Sequence, residues 1–316
     1  MKLRIQNKVA GSELTLPICT VAAVSLWWLP ECAISLSNAL GLVLCLLATY
    51  VVMETNNQLH IIRIRTRIMS CVWLVLATSL PFMHRLDNPL IAAALLCVGY
   101  LLLFRSYELH RPQAYVFHAF LLLSIGSIFA PLMLLMAVPF YLYLIFFLRS
   151  MTWKAFWAGI LGLILPYLCY AAWLFLFSSQ PLSEALDLPY KCFEITFPPL
   201  LEKGSEVRLS SFAVLALLSI FSIIHYLRTK YDDKIRVRMI LYIYVSQTLL
   251  LLACLVLWPS QYETTMALLV ASASPLIAHH IALSRSIAGT VFFILSLLLT
   301  AALATLNLWM TSFSFF

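Results

Sequence analysis

Two short segments set pairs of arginines among apolar residues: IIRIRTR, Ile61 to Arg67, and KIRVR, Lys234 to Arg238. A guanidinium donates through a planar fork that matches two phosphate oxygens at once, which the point charge of an ammonium cannot copy. Arg63, Arg65, Arg236 and Arg238 are therefore the candidates for gripping a phosphate-type anion. Behind them stand His279 and His280, paired in ASASPLIAHH at the depth where the two arginine segments enter their helices, and Pro275 lies in the same stretch among small residues. A proline there frees a backbone carbonyl, and Ala and Ser let helices approach closely, so Pro275 reads as a packing kink or a substrate-facing break. LSIGSIFAP, Leu123 to Pro131, has the same character.

Acids are the other source of chemistry. Glu184, Asp187, Glu194, Glu202 and Glu206 gather between residues 179 and 208, and Glu31 stands alone in WWLPECA. Paired outer-loop carboxylates could bind a metal and act as base in a lipid-dependent glycosyltransferase-like enzyme, but Glu31 has no acidic partner beside it. Of eight cysteines, six lie in apolar runs, where a thiol behaves as a small hydrophobe. Cys32 and Cys192 do not, yet no spacing brings them together. No Cys-x-x-Cys or His/Cys ligand spacing appears, so neither metal nor other cofactor is expected.

The elements that must carry these residues follow from composition. Hydrophobic residues are 63% of 316, charged residues 10%, and mean hydropathy is +0.97. A water-soluble domain would aggregate with that balance, and repeated apolar runs of roughly 16 to 24 residues mean helices rather than the alternating strands of a barrel. The expectation is an all-α, polytopic transmembrane bundle forming one integral-membrane domain over residues 1–316, with 179–208 as its longest outer loop. In that setting the anion bound by the arginines is a lipid headgroup. The rival account needs charge alone: alternating Ile and Arg is also what a membrane-entry segment uses to snorkel toward anionic lipid.

Pro131 decides the helix count. No charged side chain occurs from Gln113 to Leu148, and one helix of that length would measure about 54 Å against a hydrocarbon core of about 30 Å. Split at Ala130-Pro131, the run becomes two spans joined by a tight, water-accessible outer turn, with Pro131 in a first turn where its missing N–H costs nothing and Pro139 as a mid-helix kink. The remaining charges then divide the chain into eleven spans, near 14–30, 34–53, 68–83, 89–104, 113–130, 131–148, 155–178, 209–227, 239–258, 264–284 and 287–306. With the N-terminus inside and the C-terminus outside, sixteen of twenty Lys and Arg fall on inner segments and eight of thirteen acids on outer ones, as cytoplasmic enrichment in cations requires. Merging the Pro131 pair would invert every later loop. All charged residues then lie in loops or at span ends, so the intramembrane carboxylate of an ion-coupled pump is not expected.

The segment SIGSIFAPLMLLMAVPFYLYLIFFLRSMTWKAFWAGILGLILPY resembles the central signature of an uncharacterised multi-pass inner-membrane family of Bacteroidota-type bacteria. The shared features are the small-residue stretch before a Pro turn, Arg149, Thr152 and Trp153 in an inner loop, and Leu165-Pro166-Tyr167. SASPLIAHH resembles a later segment of that family. The resemblance implies a bacterial inner-membrane location but no reaction, and carries over no site residue. Eleven helices exceed the needs of an anchor, so the expected role is handling or translocating an amphipathic or lipid-linked substrate, with membrane lipid as partner. The alternatives are a noncatalytic subunit or assembly factor bound to a membrane-protein partner, and the transferase above. The basic balance, +7, follows topology and lacks interleaved aromatic platforms, so no nucleic acid is expected.

Overall fold

The computed structural model describes residues 5–28, 35–177 and 206–313. Glu31, Cys32, Cys192 and the acids from Glu184 to Glu202 lie outside them. The described residues form helices α1 (Ile5–Gly11), α2 (Thr15–Trp27), α3 (Leu36–Leu59), α4 (Ile68–Thr78), α5 (Asn88–Arg105), α6 (Gln113–Phe129), α7 (Leu132–Leu135), α8 (Ala137–Phe146), α9 (Trp153–Phe177), α10 (Glu206–Thr229), α11 (Ile235–Leu257), α12 (Tyr262–Leu283) and α13 (Ile287–Phe313), with no strand among them. Seven of these helices are long and apolar enough to cross a membrane. The pair α1–α2, bent by 89°, makes an eighth if counted as one span; α4, α6 and α7–α8 are apolar but shorter.

Helix α12 is the axis of the bundle. It is the least apolar of the seven long spans and the most buried, packed by α4, α5, α10 and α11. Its Ala and Ser residues explain this, because small side chains let neighbours close in from every side. Ser272 Oγ satisfies itself on the Leu269 carbonyl at 3.1 Å. Pro275 is buried inside this continuous helix rather than at a break. Helix α9 is the opposite case, burying Ala155, Gly159, Gly162 and Pro166 along one stripe against α6 and leaving most of its other side chains exposed. Within the expected small-residue patch, Ser124 Oγ donates to the Leu163 carbonyl at 2.6 Å and Ser127 Oγ meets Tyr167 Oη at 2.7 Å, so that patch is a helix–helix seam.

The proline-rich stretch breaks twice, and the second break corrects one expectation. Ala130 is extended (φ −138°, ψ 92°) and ends α6, as the split at Pro131 requires. The four-residue α7 then gives way to α8 at Met136, so Pro139 sits in the first turn of α8 and is no mid-helix kink. The helix ends where the Pro139 ring would have met the carbonyl four residues earlier. Nor is the turn open as expected: Ala130 is 1% exposed.

Contacts sort the connections onto two ends. At the first end, Gln6 Nε2 donates to the Ser284 carbonyl at 2.7 Å and Thr66 Oγ1 to the Ala10 carbonyl. There too Arg63 meets Asp232 and Asp233, Arg236 lies over the Tyr107 ring, and Ser106 and Ser150 share a hydrogen bond at 3.2 Å. At the second end, Trp27 Nε1 donates to the Asn38 carbonyl at 3.0 Å and Trp27 stacks on His84 at 4.5 Å. Asn307 Nδ2 donates to the Ser79 carbonyl at 2.7 Å, Phe82 meets Tyr262 edge-on, and Tyr262 Oη donates to the Arg208 carbonyl at 2.8 Å.

Candidate functional site

The connection between α10 and α11 carries the chemistry at the first end. Helix α10 closes on Thr229, whose Oγ1 donates to the His225 carbonyl at 3.0 Å, and a 3-10 turn runs over Lys230–Asp232. Asp233 then adopts extended backbone (φ −95°, ψ 150°), and its side chain is fully buried. Its Oδ2 lies 3.1 Å from Nε2 of His279, itself fully buried on α12. A buried carboxylate persists only when paired.

The pairing cation comes from the connection after α3. His60 caps that helix in the left-handed region (φ 50°), its N–H donating to the Asn56 carbonyl at 2.8 Å. Asn56 then holds the following loop at two points, accepting from Ile62 N–H and donating to the Thr66 carbonyl, both at 3.1 Å. Arg63 is presented from this clamp. Its Nη1 donates to the Asp232 carbonyl at 3.0 Å and its Nε lies 2.9 Å from Asp233 Oδ1. That last contact is an ion pair without hydrogen-bond alignment: Oδ1 is buried and has no hydrogen-bond partner among the described residues.

An aromatic stack adjoins the cluster. The His280 ring lies between His225 and Phe292, 4.0 Å from each, at interplanar angles of 13° and 22°. Tyr226 meets His279 edge-on at 5.7 Å and its Oη donates to the Arg238 carbonyl at 3.0 Å. The Nδ1 atoms of His225, His279 and His280 are all buried with no hydrogen-bond partner among the described residues.

The sequence candidates therefore separate. Arg63 and His279 come together, but through Asp233 between them, and His280 turns to the aromatic stack. Arg236 and Arg238 lie over Tyr107 and Tyr231, each at 5.7 Å, while Arg65 is exposed. Asp233 is the residue that reading the sequence missed, since a loop position suggested a solvated charge. The available signal was the Asp232-Asp233 doublet, two acids inside the most basic connection of the chain. Among the described residues no three His, Cys, Asp or Glu side chains gather as a metal site would need.

A cavity of about 560 Å³ opens between α1, α2, α4, α10, α12 and α13. Val72, Ile277, Phe293 and Leu297 line its walls and Lys8 and Ser12 its α1 edge. Three of the hydroxyls that reach it donate within the fold: Thr15 to the Val9 carbonyl, Ser296 to Phe293 and Thr300 to Ser296, while Ser12 Oγ accepts from Leu14 N–H. The lumen thus offers hydrocarbon, with one cation, Lys8, at its edge. No protein-family model, curated protein or solved structure gives a significant match to this chain.

Proposed function

We propose that this chain is a multi-pass inner-membrane protein that takes up the hydrocarbon portion of an amphipathic or lipid-linked substrate. The observation that carries this reading is the apolar cavity with Lys8 at its edge. Its volume falls in the range of about 300–1,000 Å³ usual for small-molecule pockets, and its walls are mostly hydrocarbon, with Lys8 and Ser12 confined to one edge. The substrate's charged end would sit beside Lys8 and its chain among α4, α12 and α13.

The same reading takes the eleven expected spans as eleven crossings, N-terminus inside and C-terminus outside. The grouping of contacts supports it. The described connections assigned to the inside, around residues 8, 63–67, 105–111, 149–154, 228–238 and 284–286, link to one another at the first end. Those assigned to the outside, near 28–38, 79–87, 208 and 258–262, link at the second. The choice of the inner membrane rests on the resemblance noted in the sequence and is part of the same proposal.

The test is photolabelling of the full-length chain in nanodiscs of phosphatidylglycerol carrying a diazirine on its acyl chain. Adducts should concentrate on Val72, Ile277 and Phe293, and filling the cavity with Val72→Trp and Leu297→Trp should remove them while sparing those on α9. Equal labelling of the cavity wall and of Leu161 and Leu168 on the exposed face of α9 would overturn the reading.

A further inference from the structure

A buried ionisable group within a membrane bundle is costly enough to signal a proton or ion site by default, and Asp233 meets that description although it lies in a connection. Its two oxygens are unequal. Oδ2 has His279 Nε2 at 3.1 Å. Oδ1 is buried, has no hydrogen bond among the described residues, and is compensated only by the charge of Arg63.

That compensation is held by a partner with somewhere else to go. The Arg63 side chain is 39% exposed and already reaches Asp232, whose own side chain is 67% exposed, at 3.7 Å. Should Arg63 pivot wholly to Asp232 or to solvent, Asp233 would remain a buried carboxylate with only His279 beside it, which is costly. The carboxylate would relieve it by taking up a proton. The atom that would receive it is Oδ1, which then gains a hydrogen to donate.

We propose that Asp233, with His279 on its second oxygen, is an exchangeable proton site at which proton occupancy and pairing with Arg63 alternate. The proton comes from water at the first end and returns there; no bond other than O–H forms or breaks, and Arg63 stays charged throughout. The groups facing the site are Arg63 from the connection after α3, Asp232 through Arg63, and His225, Tyr226 and Arg228 from α10. Arg238 and Tyr242 from α11 and His280 from α12 are the further charged and titratable groups around it among the described residues, and α13 contributes the apolar Phe292. Occupancy sets whether Arg63 is held at Asp233 or is released to Asp232 and solvent, so the site would couple protons to the position of that side chain. It stands apart from the amphiphile reading and does not need a cargo.

The test is infrared difference spectroscopy of the full-length chain in lipid nanodiscs, titrated from about pH 8 to about pH 4, the span in which carboxyl groups and histidines change charge. The wild type should show the C=O stretch of a protonated carboxylic acid that Asp233→Asn removes and Asp232→Asn retains. Arg63→Gln should move its midpoint up by about one unit or more, because a neighbouring cation holds a carboxyl group ionised. Absence of the band, its survival in Asp233→Asn, or an unmoved midpoint in Arg63→Gln would each overturn the proposal. The last comparison decides the matter even if Asp233→Asn does not fold.

Discussion

At the scale of single residues, burial alters the same side-chain type in different ways. His279 is buried with a carboxylate to meet it, whereas His84, in the connection between α4 and α5, is buried under Trp27 with Nε2 on the Thr78 carbonyl at 3.0 Å. Burial, opposed by its backbone hydrogen bonds, drives the His84 pKa down to about 4. The folded state therefore favours neutral His84, against an unfolded value of about 6.5. Its contribution is fully present above pH of about 6.5 and is lost as pH falls through about 4, amounting to at most about 3 kcal/mol. His84→Gln should flatten that part of the pH dependence of unfolding, followed by thermal melts in detergent across the interval. An unchanged slope would show that His84 titrates as freely in the fold as outside it.

Whole helices obey a second logic, in which small residues set how closely two axes approach. A Cβ at Gly162 would lie 2.5 Å from the Phe117 carbonyl oxygen and 3.1 Å from Leu121 N, both backbone atoms of α6. Backbone cannot rotate aside, so Gly162→Ala must push α9 from α6 and break the Ser124–Leu163 hydrogen bond that depends on their approach. The expected loss is about 1–3 kcal/mol, measurable as a lowered midpoint in denaturant unfolding. At Gly99, where a Cβ meets nothing within 4 Å, the same change should be neutral or slightly stabilising through helix propensity. Similar losses at both positions would mean that α6 and α9 pack less tightly than the structure has them.

For the whole molecule, the decisive quantity is parity. An N-inside start and eleven crossings put the C-terminus outside, and one crossing fewer would reverse it. A phosphatase reporter that folds only outside the cytoplasm should be active when fused after Phe316 and silent when inserted between Asp232 and Asp233; a reporter confined to the cytoplasm should do the reverse. Cytoplasmic activity at the C-terminus would remove one crossing. The first suspect would be α4: Thr66 and Ser79, which contact opposite ends, are joined by only eleven helical residues, about 16 Å of helix, well short of a usual hydrocarbon core.

What the sequence determined by itself was the helical character of its apolar segments and their placing along the chain. Backbone groups in hydrocarbon must bond within their own helix, so runs of apolar residues translate directly into helices; seven of the expected spans fall on helices long and apolar enough to cross, the other four on shorter or bent ones. The break after Ala130 was legible for the same local reason, that proline ends hydrogen bonding along a helix. Which helix occupies the centre was decided only by tertiary packing, since Ala and Ser in α12 matter through what approaches them. Arg63 and His279 were visible as chemistry-bearing residues, but their meeting at Asp233 joins positions 63, 233 and 279, separations that no periodicity encodes. The interior can hold that carboxylate because a cation and an imidazole arrive from two other parts of the chain.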